Sequence, residues 1–290
     1  MFLLAAILAV SFLGTLVNAR PTDDTALDIA AIEAHFSNAG LVPDLLPSFD
    51  PSAVMTATFP GAGVISPGQS LSVQQTATAP DLRIVPANAS VPVTGNFTLV
   101  MVDARAVGTN ESNGQILHWV VNYVALQHDS PSPPFSPSLN VSTAGGVGVI
   151  DYVGPQPPAG DGPHRYVILL LPQPSSFSPP ANLTSPTVGP SLYFHLSDYI
   201  STSHLGQPIA GMYFDVQQGP SNVTVPPTSA VVTSTLNPPV PASSTVSSST
   251  ILCRSNSIKA PDLWNVRLHL EQPNSRAYIS QRNRTKHVTV

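Results

Sequence analysis

Three polar side chains in this sequence stand at the ends of apolar runs, where strands would deliver them to one place. His164 closes the loop Gly154-Pro155-Gln156-Pro157-Pro158-Ala159-Gly160-Asp161-Gly162-Pro163 and leads through Arg165 and Tyr166 into Val167-Ile168-Leu169-Leu170-Leu171. His118 heads the run His118-Trp119-Val120-Val121, and Asp103 follows Leu99-Val100-Met101-Val102. Prolines fix φ and glycines supply conformations that other residues avoid, so the loop's shape is written into its residues and His164 arrives at a defined position. An imidazole offers an N–H while neutral and becomes a cation when an anion approaches, and a carboxylate can orient one ring or accept from an ammonium group. The chemistry expected of such a set is the holding of a small anion.

Other chemistries lack their patterns. The histidines show no His-x-x-x-His spacing, and the only cysteine is Cys253, so no metal site is expected. There is no Gly-x-Ser-x-Gly elbow, and the acidic residues are scattered instead of forming an opposed pair, so no catalytic residue and no cofactor is expected.

The elements that must position these residues read as mainly β. Runs at 53–59, 71–78, 96–102, 116–126, 147–153, 166–171 and 209–216 are strand-like, separated by loops rich in proline and glycine. Phe97–Val102 and Val167–Leu171 are apolar at consecutive positions, which predicts strands covered on both faces, as in the centre of a sandwich. One helix is predicted over 26–36, with Leu27, Ile32 and Phe36 on its packing face and Gly40 closing it. A second, short helix is predicted over 191–200, with His195 as a packing or capping residue.

Charge divides the 290-residue chain unevenly. Residues 1–250 hold 14 Asp/Glu and 4 Arg, a net of −10, and residues 251–290 hold 7 Lys/Arg and 2 Asp/Glu, a net of +5. An acidic body argues against nucleic acid as a partner, because phosphate backbones are met by Lys/Arg stripes. Residues 1–19 read as a secretory signal, apolar from Phe2 to Leu16 with Val17-Asn18-Ala19 at the cut. Seven Asn-x-Ser/Thr sites, at Asn88, Asn96, Asn110, Asn140, Asn182, Asn222 and Asn283, fit a secreted, cell-wall or vacuolar glycoprotein. The folded domain is expected over 20–217, a length that can bury enough apolar surface without a disulfide. A Ser/Thr/Pro-rich disordered stalk over 218–250 and a basic tail over 251–290, disordered or the product of a mispredicted exon, complete the chain.

The stretch Tyr152–Tyr166 and the pair His118-Trp119 resemble the phosphatidylethanolamine-binding protein family, whose pattern runs from a strand ending in Asp-Pro-Asp-Ala-Pro, through His-Trp or His-Phe, to Tyr-x-Gly-Pro-x-Pro-Pro-x-Gly-x-Gly-x-His-Arg-Tyr. The likeness covers roughly residues 40–216, and Ser48-Phe49-Asp50-Pro51-Ser52 is similar to the family's secreted fungal branch. The first motif departs: Asp103 is kept, but Ala104, Arg105 and Val107 stand where the pattern has proline, aspartate and proline. The resemblance implies a β-sandwich with a central antiparallel sheet and a few short helices. It also implies a non-catalytic, monomeric protein whose pocket of Asp103, His118, His164 and Tyr166 takes a small anion or phospholipid head group. If Arg105 faces that pocket, it tunes it toward anions and away from ethanolamine-type heads. The family also includes a fungal inhibitor of carboxypeptidase Y, so inhibition of a serine carboxypeptidase through surface loops is a second expectation. A wall-associated structural glycoprotein with a decayed pocket is a third.

Overall fold

A computed structural model describes residues 22–109, 111–128, 137–184, 186, 190–222, 224, 231–232 and 235–236. The signal segment, the basic tail and most of the stalk lie outside these residues.

In chain order the elements are helices α1 (Thr22–Asn38) and α2 (Leu41–Asp44), strands β1 (Ala53–Phe59), β2 (Gly63–Val64), β3 (Gln69–Leu71), β4 (Asp81–Pro86), β5 (Asn96–Asp103), β6 (Gln115–His128), β7 (Leu139–Ser142), β8 (Val147–Ile150), β9 (His164–Gln173) and β10 (Ser191–Phe194), then α3 (Leu196–Thr202) and β11 (Ala210–Val216). The strands run in the order β2-β1-β4-β7-β6-β5-β9-β11-β3, with β8 and β10 also paired to β6. Every pairing is antiparallel except β11 with β3.

This path folds into two layers. On the outer layer β1 alternates, burying Ala53, Met55, Ala57 and Phe59 and turning the residues between them outward. The central strands β5 and β9 have no exposed face. Phe97, Leu99 and Met101 of β5, with Tyr166, Ile168 and Leu170 of β9, fill the space between the layers. Their neighbours Val100, Val102, Val167, Leu169 and Leu171 pack on the opposite side, against Ile32 and Phe36 of α1, Phe49 and α3. Side chains of a strand alternate between faces, so an unbroken apolar run is what a doubly covered strand requires.

The long strand β6 takes part in both layers. Its first half pairs β5, β8 and β10, and Ala125–His128 pair β7. Between the halves β6 carries one residue more than β5, and Tyr123 there has φ 59, a bulge that lets the strand turn the corner.

Three expectations need correction. Of residues 71–78 only Leu71 is in a strand, the end of β3, and a turn follows it: the Ser72 N–H and hydroxyl both donate to Gln75 Oε1 (2.9 and 3.1 Å), and the Thr76 hydroxyl donates to the Ser72 carbonyl at 3.2 Å, so local side chains outcompete ladder bonds. Residues 191–200 divide into β10 and α3, with Tyr193 at φ 60 between the pairing sites; His195 takes the N-cap position of α3 without a side-chain cap bond. Helix α1 is longer than predicted and buries Ile29, Ile32 and Phe36, leaving Leu27 half-buried. Gly40, at φ 65, does follow its last turn.

Candidate functional site

The period of two places Asp103 on the same side of β5 as Leu99 and Met101, and His164 and Tyr166 on the same side of β9 as Ile168. Both strands therefore aim polar groups into one end of the inter-layer space. His118 arrives by a different device. Met101 pairs with Trp119 and Val102 with Leu117, so His118 is the extra residue of a second bulge in β6. A bulge re-aims a side chain, and here the His118 ring meets Tyr166 edge-on at 5.2 Å between centroids.

The two imidazoles have their Nδ1 atoms engaged within the protein. His118 Nδ1 lies 2.8 Å from the Val153 carbonyl, which can only accept, so Nδ1 carries the proton. The Val153 N–H donates in return to the His118 carbonyl at 2.9 Å, and the pair of bonds clamps the start of the proline-glycine loop. His164 Nδ1 lies 2.8 Å from Asp103 Oδ2. The other carboxylate oxygen, Oδ1, accepts the Arg105 N–H at 2.7 Å. Asp103 is thus occupied by its own chain and 1% exposed. It orients His164 and is not placed to receive an ammonium group. Burial lowers the His118 pKa, opposed by the Val153 bond and by Asp103, and His164 nearby lowers it further. The Tyr166 hydroxyl sits close to the Asp103 carboxylate and the Gln156 backbone without a well-formed bond to either, and burial followed by the Asp103 charge raises its pKa strongly.

What remains for a ligand is Nε2 of His164 and one guanidinium. A cavity of about 490 Å³ opens at this end of the sandwich, walled by Arg105, Gly108, Thr109, Ile116, Asp161, His164 and Thr224 among others. His164 Nε2 is 3.9 Å from Asp161 Oδ2. Arg105 lies on the wall with a left-handed backbone, φ 54, and its buried Nε has no hydrogen-bond partner. His118, Asp103 and Tyr166 stand behind this wall, buried. Of the residues named from sequence, Arg105 and His164 reach the cavity and the other three support them. The strap at 218–222 and Thr224, which sequence reading assigned to the stalk, were missed: Thr224 has no chemical signature, and only the fold brings it to the wall.

Arg165, beside His164, has no part in the cavity. Its guanidinium donates to the carbonyls of Ala39 (2.6 Å), Ala104 (2.7 Å), Arg105 (3.0 Å) and Ala106 (3.5 Å), and the Asp44 carboxylate is 4.0 Å away. Arg165 also pairs in register with Asp215 of β11. Burial pushes the Asp215 carboxyl up to about 6, against the pull of Arg165. A raised carboxylate pKa stabilises the fold below the unfolded value and withdraws that contribution as pH rises through the folded value. Between about pH 4 and pH 6.5 the wild-type protein is therefore expected to lose up to about 3 kcal/mol relative to Asp215→Asn. Urea titrations of both proteins across that range check it; parallel pH curves would refute it.

The chain as a whole has relatives among known proteins. The sequence pattern described as "Phosphatidylethanolamine-binding protein" matches residues 51–214. The chain belongs to the phosphatidylethanolamine-binding protein family. Within it, the chain is 30% identical over 170 residues to the carboxypeptidase Y inhibitor of Saccharomyces cerevisiae, covering 51% of this chain and 77% of that protein. It is 25% identical over 184 residues to CEN-like protein 1 of Nicotiana tabacum, covering 62% of this chain and 90% of that protein. A crystal structure of carboxypeptidase Y inhibitor complexed with its cognate proteinase superposes with a TM-score of 0.53 at 22% identity, over 68% of this chain and 98% of that one, which shows the shared fold. Family membership accounts for the mainly β architecture.

Proposed function

We propose that this family member is a secreted, non-catalytic protein that binds a small phosphate-type or carboxylate anion between the Arg105 guanidinium and His164 Nε2. The observation that carries this reading is His164, held from behind by Asp103, at the wall of a cavity that also holds Arg105. Arg105 supplies a permanent cation, and His164, with Nδ1 held by Asp103, can offer Nε2–H to an anion once protonated. Because each Nδ1 is already engaged, neither neutral ring has a donor left for the ligand. The Arg105 guanidinium is then the standing donor, and a proton on His164 adds a second. Titration with inorganic phosphate, followed by the NMR signals of the Arg105 side chain and the imidazoles, tests the reading. No binding, or phosphate signals confined to other residues, would sink it.

A second reading rests on the yeast relative named carboxypeptidase Y inhibitor, with which 30% identity extends over most of that protein. On that reading the chain inhibits a serine carboxypeptidase through surface contacts, in an extracellular or vacuolar compartment. Release of C-terminal residues from a peptide by such an enzyme, with and without the protein in excess, decides it: undiminished turnover removes the reading.

A further inference from the structure

The Asn-x-Ser/Thr sites are not equivalent once folded. Asn96 and Asn140 lie within strands, Asn140 in β7 between β4 and β6. Asn222 is exposed and outside every strand, in the strap that follows β11. The strap is tied to the loop that delivers His164: the Asn222 N–H donates to the Gly160 carbonyl at 2.8 Å, and the Gly160 N–H donates to the Gln218 carbonyl at 3.3 Å. Asn222 Nδ2, the atom that would bear a sugar, packs against Gly160, at φ 96, where a side chain would collide with it. Two residues on, Thr224 of the same Asn222–Thr224 site stands on the cavity wall with His164 and Arg105. Elsewhere on the wall is Thr109, and the next residue in sequence begins a second site, Asn110–Ser112.

We propose that Asn222 carries an N-linked glycan at the cavity mouth and that this glycan keeps the mouth off membranes, so that the bound anion is taken from solution and not from a lipid in a bilayer. To reach a head group in place, the mouth must press against the membrane surface. A hydrated sugar chain rooted at Asn222 stands in that gap. The charge of the body acts in the same sense: residues 1–250 carry a net −10, and membrane-facing surfaces use Lys/Arg to meet anionic leaflets. The proposal rests on the secretory and anion-pocket readings above.

The full chain, secreted from a eukaryotic host, supplies the test. Enzymatic deglycosylation in heavy-oxygen water, followed by peptide mapping, reads occupancy at Asn222. Co-sedimentation with phosphatidylcholine/phosphatidylethanolamine/phosphatidic acid vesicles, and titration with inorganic phosphate, are then run on the wild-type protein and on Asn222→Gln. The expected result is a labelled Asn222, phosphate affinities within twofold of each other, and at least threefold more vesicle-bound protein for Asn222→Gln. An unlabelled Asn222, or equal sedimentation of the two proteins, overturns the proposal. If neither protein binds phosphate, the anion-pocket reading fails by itself, while occupancy and sedimentation still decide the glycan's presence and its effect on membrane contact.

Discussion

Arg165→Met is expected to lower stability by about 3–5 kcal/mol, the range for breaking a buried, hydrogen-bonded charged site, and the melting temperature by roughly 10 °C. Methionine fills much of the space of the arginine stem but donates nothing. The carbonyls of Ala39, Ala104 and Arg105 would keep their burial and lose a charged donor each, and Asp215 would lose the cation that opposes its burial. The effect has a position as well as a size. Arg165 holds Ala104, Arg105 and Ala106 together, and Arg105 and Ala106 line the cavity. Phosphate affinity should therefore drop in the same variant even at temperatures where it is fully folded. Differential scanning calorimetry gives the first quantity and titration the second; a melting temperature within 3 °C of wild type would remove Arg165 from its assigned place.

Arg105→Asp is expected to weaken phosphate binding about 100-fold, and Arg105→Gln about tenfold. The reversal changes the charge at the wall by two units. Two unit charges at about 4 Å interact by about 4 kcal/mol at an effective dielectric constant of 20, and solvent at the open mouth screens part of that. The substitution suits the backbone, because aspartate tolerates the left-handed conformation found at Arg105 and the N–H bonded to Asp103 is retained. Melting temperature should move little, so that a loss of affinity is a loss of contact. Phosphoethanolamine, whose ammonium group would gain a partner in the new carboxylate, should lose less than phosphate. Phosphate binding by Arg105→Asp that equals or exceeds the wild type would show that the guanidinium does not serve the anion.

The fold was legible where one physical requirement dominates a stretch of residues. Val167–Leu171 is apolar without interruption, and only a strand covered on both faces satisfies that; β9 is such a strand. Strand β4 shows the opposite case. Leu82 and Ile84 are buried and alternate with exposed Asp81 and Arg83, but the run is six residues long, follows Pro80 and ends on Pro86, so its pattern is too brief to stand out. Strand β7, four residues long and preceded by a proline-serine segment, was hidden in the same way. In the site, residue types could be named but their duties could not. Which ring holds the loop and which meets Asp103 depends on a bulge at His118, and a bulge is a property of pairing between two strands that neither one displays alone. That Asp103 is buried and turned to its own chain goes with the left-handed turn at Arg105, a conformation unusual enough for arginine that sequence gives no warning of it.

The shared strand β6 has a mechanical meaning. In a sandwich whose sheets share no strand, side-chain contacts and the connecting loops are what resist sliding of one sheet over the other. Here a continuous peptide backbone crosses from layer to layer, so load placed on the outer sheet is borne by covalent bonds that lead to His118. The ring behind the cavity wall is therefore fixed to a strand that both layers hold, and a displacement of either layer is passed to it through the backbone.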